Sequence, residues 1–310
     1  MKKISFCIPC YGSEDTIEYV INEIIDVLSA KTEYDYEIIA VNDCSPDNVM
    51  EKLRQLAHSN SKIKVIDLAK NFGKHSALMA AFSVVKGDYV VCLDDDGQCP
   101  MDRLWDLLEP ITDGNYDFSM AEYSKKKQSA FKNFGSSLNS LMSRVLVGKP
   151  KDLHFTNFKA MKRFVTEEII KYNNPYPYLE GLTLRTTRNI AVIKMDERER
   201  FSGKGNFTFK KSLSLWLNGF TAFSVKPLRI STVIGFITAL IGFVFGVFVI
   251  LRKMIHPQIA MGYSSTMAVL LFIGGMIMLM LGMIGEYVGR MYISLNNSPQ
   301  YVIRDIINGE

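Results

Sequence analysis

Cysteine is scarce: five in 310 residues, an odd number, all within the first hundred positions (Cys7, Cys10, Cys44, Cys92 and Cys99). They lie mostly in apolar stretches or beside an acidic run, which excludes a disulfide framework and fits reduced thiols in the cytosol. Cys7 and Cys10 have the spacing of a redox pair, but they close an apolar strand instead of opening a helix, so the reading is structural. No signal peptide is expected, because Met1-Lys2-Lys3 is followed by only five mostly apolar residues. Zinc-finger spacing and RNA-binding aromatic signatures are both missing, which argues against nucleic acid as a partner. Charge is missing over long stretches of the last third: none between 231 and 251, and only Glu286 between 266 and 288.

Those two spans are long enough to cross a bilayer core of about 30 Å, so a two-helix transmembrane hairpin is expected. Small residues along them (Gly235, Gly242, Gly246, Gly274, Gly275, Gly282, Gly285) would let helices approach closely. Two spans place both flanks on one side. Lys210, Lys211, Lys226, Arg229 and Arg290 mark that side as cytoplasmic, against Arg252 and Lys253 in the connection. Glu286 and Arg290, four apart, can pair on one helix face.

The rest of the charge is divided. Residues 1–120 carry 11 Lys/Arg against 21 Asp/Glu, and residues 121–230 carry 21 against 8. A basic middle leading into an apolar tail fits a surface held against anionic headgroups or an anionic substrate. The segment 207–223 combines Leu213, Trp216, Leu217 and Phe220 with Lys210 and Lys211, as an interfacial helix does, although an ordinary core helix has the same pattern.

Strands expected at 4–8, 36–41, 63–68 and 89–93 alternate with helices at 16–30, 49–58 and 76–86, the signature of a doubly wound parallel sheet. Beyond residue 101 the pattern loosens: helices are expected near 104–111, 134–146 and 164–172, strands near 116–121 and 190–195, and a basic loop at 125–132. Each early strand ends in a polar turn, on the edge where such sheets place their sites. Asp43, Lys74 and Asp94 are therefore expected to converge. The fourth turn is the most acidic: Asp94-Asp95-Asp96-Gly97-Gln98 follows an apolar strand. On an extended segment Asp94, Asp96 and Gln98 share one side and Asp95 faces the other. Such hard oxygen ligands suit Mg²⁺ or Mn²⁺ holding a substrate phosphate.

Taken together, these motifs resemble the family 2 glycosyltransferases that transfer sugars to polyprenyl phosphates, such as dolichyl-phosphate mannose synthase and the bactoprenol glucosyltransferases. The resemblance covers essentially the whole chain. Pro9 and Tyr11 match the family's Pro-x-Tyr-Asn-Glu, with Gly12 and Ser13 replacing its last two residues. Asp43-Cys44-Ser45-Pro46-Asp47 stands where the family has Asp-Gly-Ser-x-Asp, and Asn71-Phe72-Gly73-Lys74 where it has Asn-x-Gly-Lys. Asp94, Asp96 and Gln98 match Asp-x-Asp-x-Gln. Arg200 and Gly203 match Arg-x-x-Gly-x-Ser-x-Tyr, with Gly205 and Phe207 at the serine and tyrosine. Asn157 falls at the aspartate of Asp-Phe-Arg.

The resemblance implies a GT-A-like, Rossmann-like domain over 1–206, a juxtamembrane amphipathic segment at 207–228, transmembrane helices within 229–290 and a cytosolic tail at 291–310. It implies a nucleotide-sugar donor, UDP- or GDP-linked, contacted by Pro9, Tyr11, Asp43, Lys74, Asp94 and Asp95. The metal, Mg²⁺ or Mn²⁺, would sit on Asp94, Asp96 and Gln98, and phosphate on Arg200 and Lys204. Asp96 and Arg200 would carry the chemistry. The acceptor would be a polyprenyl phosphate of the undecaprenyl type in the cell membrane, served by a multi-pass protein with its catalytic domain in the cytoplasm. A homo-oligomer is compatible with this reading. Two rivals remain: a non-catalytic membrane subunit built on a degenerate transferase domain, and a processive polysaccharide synthase. The second would carry Gln-x-x-Arg-Trp, and neither Trp105 nor Trp216 lies in that motif.

Overall fold

The computed structural model describes residues 1–123, 155–196, 198, 226–256, 262–296 and 298–309. The chain divides into two compact units, one of Met1–Ser212 with Asn297–Glu310 and the other of Leu213–Asn296.

The first unit is built on an eight-stranded sheet. Its strands are β1 (Lys2–Cys10), β2 (Tyr34–Asn42), β3 (Ile63–Leu68), β4 (Tyr89–Cys92), β5 (Phe118–Tyr123), β6 (Lys159–Lys162), β7 (Ile190–Met195) and β8 (Ile303–Ile307), in the order β7-β5-β6-β4-β1-β2-β3-β8. Among the described residues its helices are α1 (Ile17–Ser29), α2 (Val49–Ser59), α3 (Lys74–Phe82), α4 (Leu104–Thr112), α5 (Arg163–Ile169) and α6 (Leu179–Thr186).

The center β4-β1-β2-β3 is parallel, as the strand–helix alternation predicts. The sheet as a whole is mixed: β6 runs antiparallel to both β4 and β5, and β8 runs antiparallel to β3. This departs from an all-parallel reading for a local reason. β6 has the sequence Lys-Ala-Met-Lys and β8 Ile-Arg-Asp-Ile-Ile, too short and too irregular in alternation to register as strands.

Alternation along β1 explains the layering. Ile4, Phe6 and Ile8 enter one core with Ile17, Ile21 and Ile24 of α1, Leu53 of α2 and Leu104 and Leu107 of α4. Cys7, Ile39 and Val41, equally buried, face the other way. Glu37 on β2 and Lys64 on β3 are buried polar positions in these strands, paired at 2.8 Å.

The second unit contains α7 (Lys226–Ile255) and α8 (Tyr263–Leu295). Within α8, Phe272–Leu295 is 24 residues with a mean hydropathy of 1.6, long and apolar enough to cross a membrane by length and composition; in α7 the apolar stretch Thr232–Phe248 is shorter. Phe236, Phe243 and Met278 are each at least 70% exposed, an arrangement suited to lipid and costly in water. Of the glycines expected to bring the helices together, only Gly235 makes a close approach among the described residues. A Cβ there would lie 2.6 Å from Met280 Cε, whereas Gly242, Gly246, Gly274, Gly275, Gly282 and Gly285 meet nothing within 4 Å. The expected loop at 125–132, the helix at 134–146 and the interfacial segment 207–223 lie outside the described residues.

Candidate active site

Parallel pairing aligns the carboxyl ends of the central strands: Cys10 stands opposite Asn42, Asn42 opposite Asp67, and Cys7 opposite Cys92. The loops leaving these ends must therefore meet, and their side chains tie them together.

Asp43, at the end of β2, is buried. Its Oδ1 accepts from Phe72 N–H at 2.7 Å and its Oδ2 from Gly73 N–H at 2.8 Å. Burial raises the Asp43 pKa, and the two amides work against that rise. The carboxylate thus fixes the loop that opens α3. Gly73 sits at φ 88°, ψ 158°, a region only glycine enters readily. Gly73→Ala should therefore destabilise the protein by roughly 1–3 kcal/mol through backbone strain alone, since the added Cβ meets nothing within 4 Å. A thermal unfolding midpoint equal to wild type would contradict this.

Lys74, the first residue of α3, forms an ion pair with Asp94 Oδ1, and Asn157 Nδ2 donates to Asp94 Oδ2. An aspartate at 157 would set a second negative charge against Asp94. The amide donates a hydrogen bond there instead.

The extended alternation expected for 94–98 does not occur. β4 ends at Cys92 and the backbone turns at Asp95, with Gly97 at φ 74°. Asp95 reaches back to the first loop: its Oδ2 accepts from Tyr11 N–H at 3.0 Å, and its carbonyl accepts from Thr16 Oγ1 at 2.5 Å. Burial pushes its pKa up to about 6, opposed by the Tyr11 amide. Asp96 Oδ1 accepts from Gln98 N–H at 3.1 Å. Gln98 Nε2 donates to Arg198 O at 3.3 Å, while Arg198 N–H donates to Gln98 O at 3.2 Å. Arg198 itself pairs with Glu23 and Asp102. The segment entering the basic motif is thereby held against the acidic turn. Arg200 and Lys204 lie outside the described residues.

Of the remaining expected contacts, Tyr11 is 42% exposed beside this turn, and Pro9 is the penultimate residue of β1, past the end of its pairing with β4. Among the described residues no three His, Cys, Asp or Glu side chains form a metal cluster. Asp94 and Asp96 nevertheless suit Mg²⁺ or Mn²⁺, because such ions are commonly held by one or two carboxylates together with substrate phosphates.

Two neighbours were not foreseen. His75 Nδ1 accepts from Leu179 N–H at 3.4 Å, and burial lowers the pKa of this imidazole. Glu180 is the next residue, and its Oε2 is buried with no hydrogen-bond partner among the described residues. His75 and Glu180 are 105 positions apart, and no local pattern in the sequence links them. A cavity lined by Lys2, Lys31, Tyr34 and Trp105 opens at the amino ends of β1 and β2, away from these groups.

Residues 5–170 match the model of glycosyl transferase family 2. The chain belongs to this family. It is a glycosyltransferase, and its residues 226–291 match the GtrB C-terminal hairpin. The chain is 29% identical over 313 residues to the undecaprenyl-phosphate 4-deoxy-4-formamido-L-arabinose transferase of Yersinia pestis (strain Pestoides F), covering 100% of this chain and 95% of that relative. It is 28% identical over 303 residues to the glycosyltransferase YkcC of Bacillus subtilis (strain 168), covering 97% and 93%. Among solved structures, glucosyl-3-phosphoglycerate synthase of Mycobacterium tuberculosis in complex with Mg²⁺ and UDP superposes with a TM-score of 0.51 at 17% identity, over 71% of this chain and 77% of that one. Mannosyl-3-phosphoglycerate synthase of Rubrobacter xylanophilus gives 0.50 at 18%, over 74% of each chain. At these identities the likeness establishes the shared GT-A-like fold alone.

Proposed function

We propose that this chain is a membrane-bound inverting glycosyltransferase that moves a sugar from a UDP- or GDP-linked donor to a polyprenyl phosphate of the undecaprenyl type. The observation that carries this reading is one chain joining an acidic turn, braced by Lys74 and Asn157 at the carboxyl ends of parallel strands, to two long helices, one of them apolar over 24 residues. The end-to-end alignment with the Yersinia pestis relative supports the lipid-phosphate acceptor. The basic balance of residues 121–230 suits two anionic substrates.

In this reaction an oxygen of the acceptor phosphate attacks the anomeric carbon. The bond from that carbon to the donor diphosphate breaks, and a single displacement inverts the center. A phosphate monoester has its second pKa near ~6, so the nucleophile is largely dianionic at neutral pH. It needs no strong protein base, which accords with an amide at Asn157.

The chain's main task is to hold the departing diphosphate. Asp43 fixes the Phe72–Gly73 backbone so that Lys74 presents its ammonium at the acidic turn, and Asp95 fixes Tyr11 beside it. Asp94 and Asp96 would hold Mg²⁺ or Mn²⁺, which when bound neutralises charge developing on the diphosphate. Gln98 would contribute through its amide oxygen, and Arg200 and Lys204 would hold phosphate. The site would then work on the cytoplasmic face of the cell membrane.

A donor screen tests the proposal: purified full-length protein, undecaprenyl phosphate, Mg²⁺ or Mn²⁺ and radiolabelled UDP- and GDP-sugars. Label passing into the lipid is the expected result. Failure with every donor, despite nucleoside diphosphate binding, would favour a non-catalytic membrane subunit.

A further inference from the structure

The last described residues, 298–309, follow α8 in sequence but belong to the first compact unit. β8 adds to the free edge of β3, with Val65 opposite Ile307 and Asp67 opposite Asp305. Around that ladder Ala69 N–H donates to Val302 O at 2.9 Å, and side chains of the segment add further attachments. Gln300 Nε2 donates to Tyr172 O at 3.1 Å and Asn174 O at 2.8 Å. Asn308 Nδ2 donates to Ala57 O at 2.7 Å and Ile63 O at 2.9 Å. Arg304 Nη1 pairs with Asp67 Oδ2 at 3.0 Å, and its Nη2 donates to Ala69 O at 3.0 Å.

The Arg304 attachment differs from the others in what lies behind it. Asp67 is 4% exposed at its side chain, and its other oxygen, Oδ1, accepts from Asn42 Nδ2 at 2.7 Å. Asn42 Oδ1 accepts from Ser45 N–H at 3.0 Å. Ser45 Oγ accepts from Gly12 N–H at 2.7 Å and donates to Asp47, whose Oδ2 accepts from Glu14 N–H at 2.9 Å. A continuous series of hydrogen bonds thus runs from the guanidinium through the ends of β3 and β2 into the loop after β1. Two residues along it have a positive φ: Cys44 at 51° and Gly12 at 70°. A non-glycine residue at positive φ persists only where its surroundings determine it.

We infer that Arg304 is a positioning residue for the nucleotide end of the donor site, acting through Asp67 and Asn42 on the Asp43–Asp47 turn and the Tyr11–Glu14 loop. The C-terminal strand is then part of the donor site's scaffold, although the sequence places it beyond the hairpin. The inference rests on the proposed function for its ligand, a nucleoside diphosphate, but not for the bonded series itself. The fork of an arginine is suited to this place, because one nitrogen meets the carboxylate while another meets the Ala69 carbonyl. A lysine ammonium would keep the charge and lose that geometry.

The test compares Arg304→Ala, Arg304→Lys and Asn308→Ala in full-length protein in detergent. Amide hydrogen exchange at 11–16 and 42–48 reads the bonded series without any ligand, and UDP and GDP binding with Mn²⁺ reads its consequence. Arg304→Ala should speed exchange in both segments and weaken nucleoside diphosphate binding about tenfold, the scale of a hydrogen bond to a charged group. Arg304→Lys should recover part of both. Asn308→Ala loosens the same strand at its far end and should lower the unfolding midpoint without moving either readout. Unchanged exchange at 11–16 and 42–48 in Arg304→Ala would overturn the inference. So would equal effects from Asn308→Ala, which would reduce Arg304 to general stabilisation. Faster exchange in a protein whose wild type binds neither nucleotide would uphold the bonded series and count against the proposed function instead.

Discussion

Asp96→Ala should reduce sugar transfer by about a thousandfold or more, because the divalent ion that the proposed mechanism places at the acidic turn would supply several kcal/mol of charge stabilisation on the leaving diphosphate. Asp96 lies in the turn that follows β4, two positions after Asp94 and next to Gly97. The change also frees Gln98 N–H, now bonded to Asp96 Oδ1 at 3.1 Å. Activity alone would not separate these effects. Nucleoside diphosphate binding should therefore be measured with and without Mn²⁺. In the variant the Mn²⁺-dependent gain in affinity should vanish, while the metal-free affinity and the circular dichroism stay near wild type. Full transfer activity in Asp96→Ala would remove the acidic turn from the mechanism. Asp95→Asn should do far less to the metal-dependent gain, because Asp95 is turned toward the Tyr11 amide.

The largest effect on stability is expected at Glu37, far from any reacting atom. This carboxylate is 1% exposed and accepts from Ser5 Oγ at 2.5 Å, Lys86 N–H at 2.6 Å and Lys64 Nζ at 2.8 Å, with Lys3 Nζ at 3.7 Å. Burial alone would push its pKa up, but Lys64, Ser5 and the Lys86 amide outweigh burial and hold it below its ordinary value of 4.5. Glu37→Ala leaves the buried Lys64 ammonium and the Ser5 hydroxyl without their acceptor, and should destabilise the protein by about 3–5 kcal/mol.

The sign of the pH dependence follows. A carboxyl group whose folded pKa is depressed binds fewer protons folded than unfolded across that window, so its contribution is full above 4.5 and fades as pH falls through the lower folded value. The difference in unfolding midpoint between wild type and Glu37→Gln should therefore shrink from pH 7 toward pH 3. A difference that stayed constant would assign the effect to packing instead of charge.

How much of this was legible beforehand differs from element to element. The four central strands and α1 to α3 could be read from periodicity, because each buries a continuous apolar face whose spacing is local. The apolar hairpin was readable for the same reason: length and the absence of charge are properties of consecutive residues. Sequence also marked Asp43, Lys74, Asp94 and Asn157 as polar positions in turns after strands or in family motifs. What each carboxylate does there was a different matter. Asp94 and Asp96 were expected to share a face on an extended segment, but a turn at Asp95 and a positive φ at Gly97 redirect them. His75 and Glu180, and the antiparallel β6 and β8, left no local trace.

Consecutive residues alone are enough to show that an acidic turn follows a buried strand and that two charge-poor helices follow the transferase domain. It takes the folded chain to show that Lys74 and Asn157 both meet Asp94, that Asp43 and Asp95 turn their oxygens to neighbouring loops, and that Arg304 closes the edge of the sheet beside the Asn42–Ser45 turn. The physical reason is that periodicity records which face of an element is buried. Hydrogen-bond partners separated by 20 to 237 positions depend on which strands and loops become neighbours, and local spacing does not encode that order.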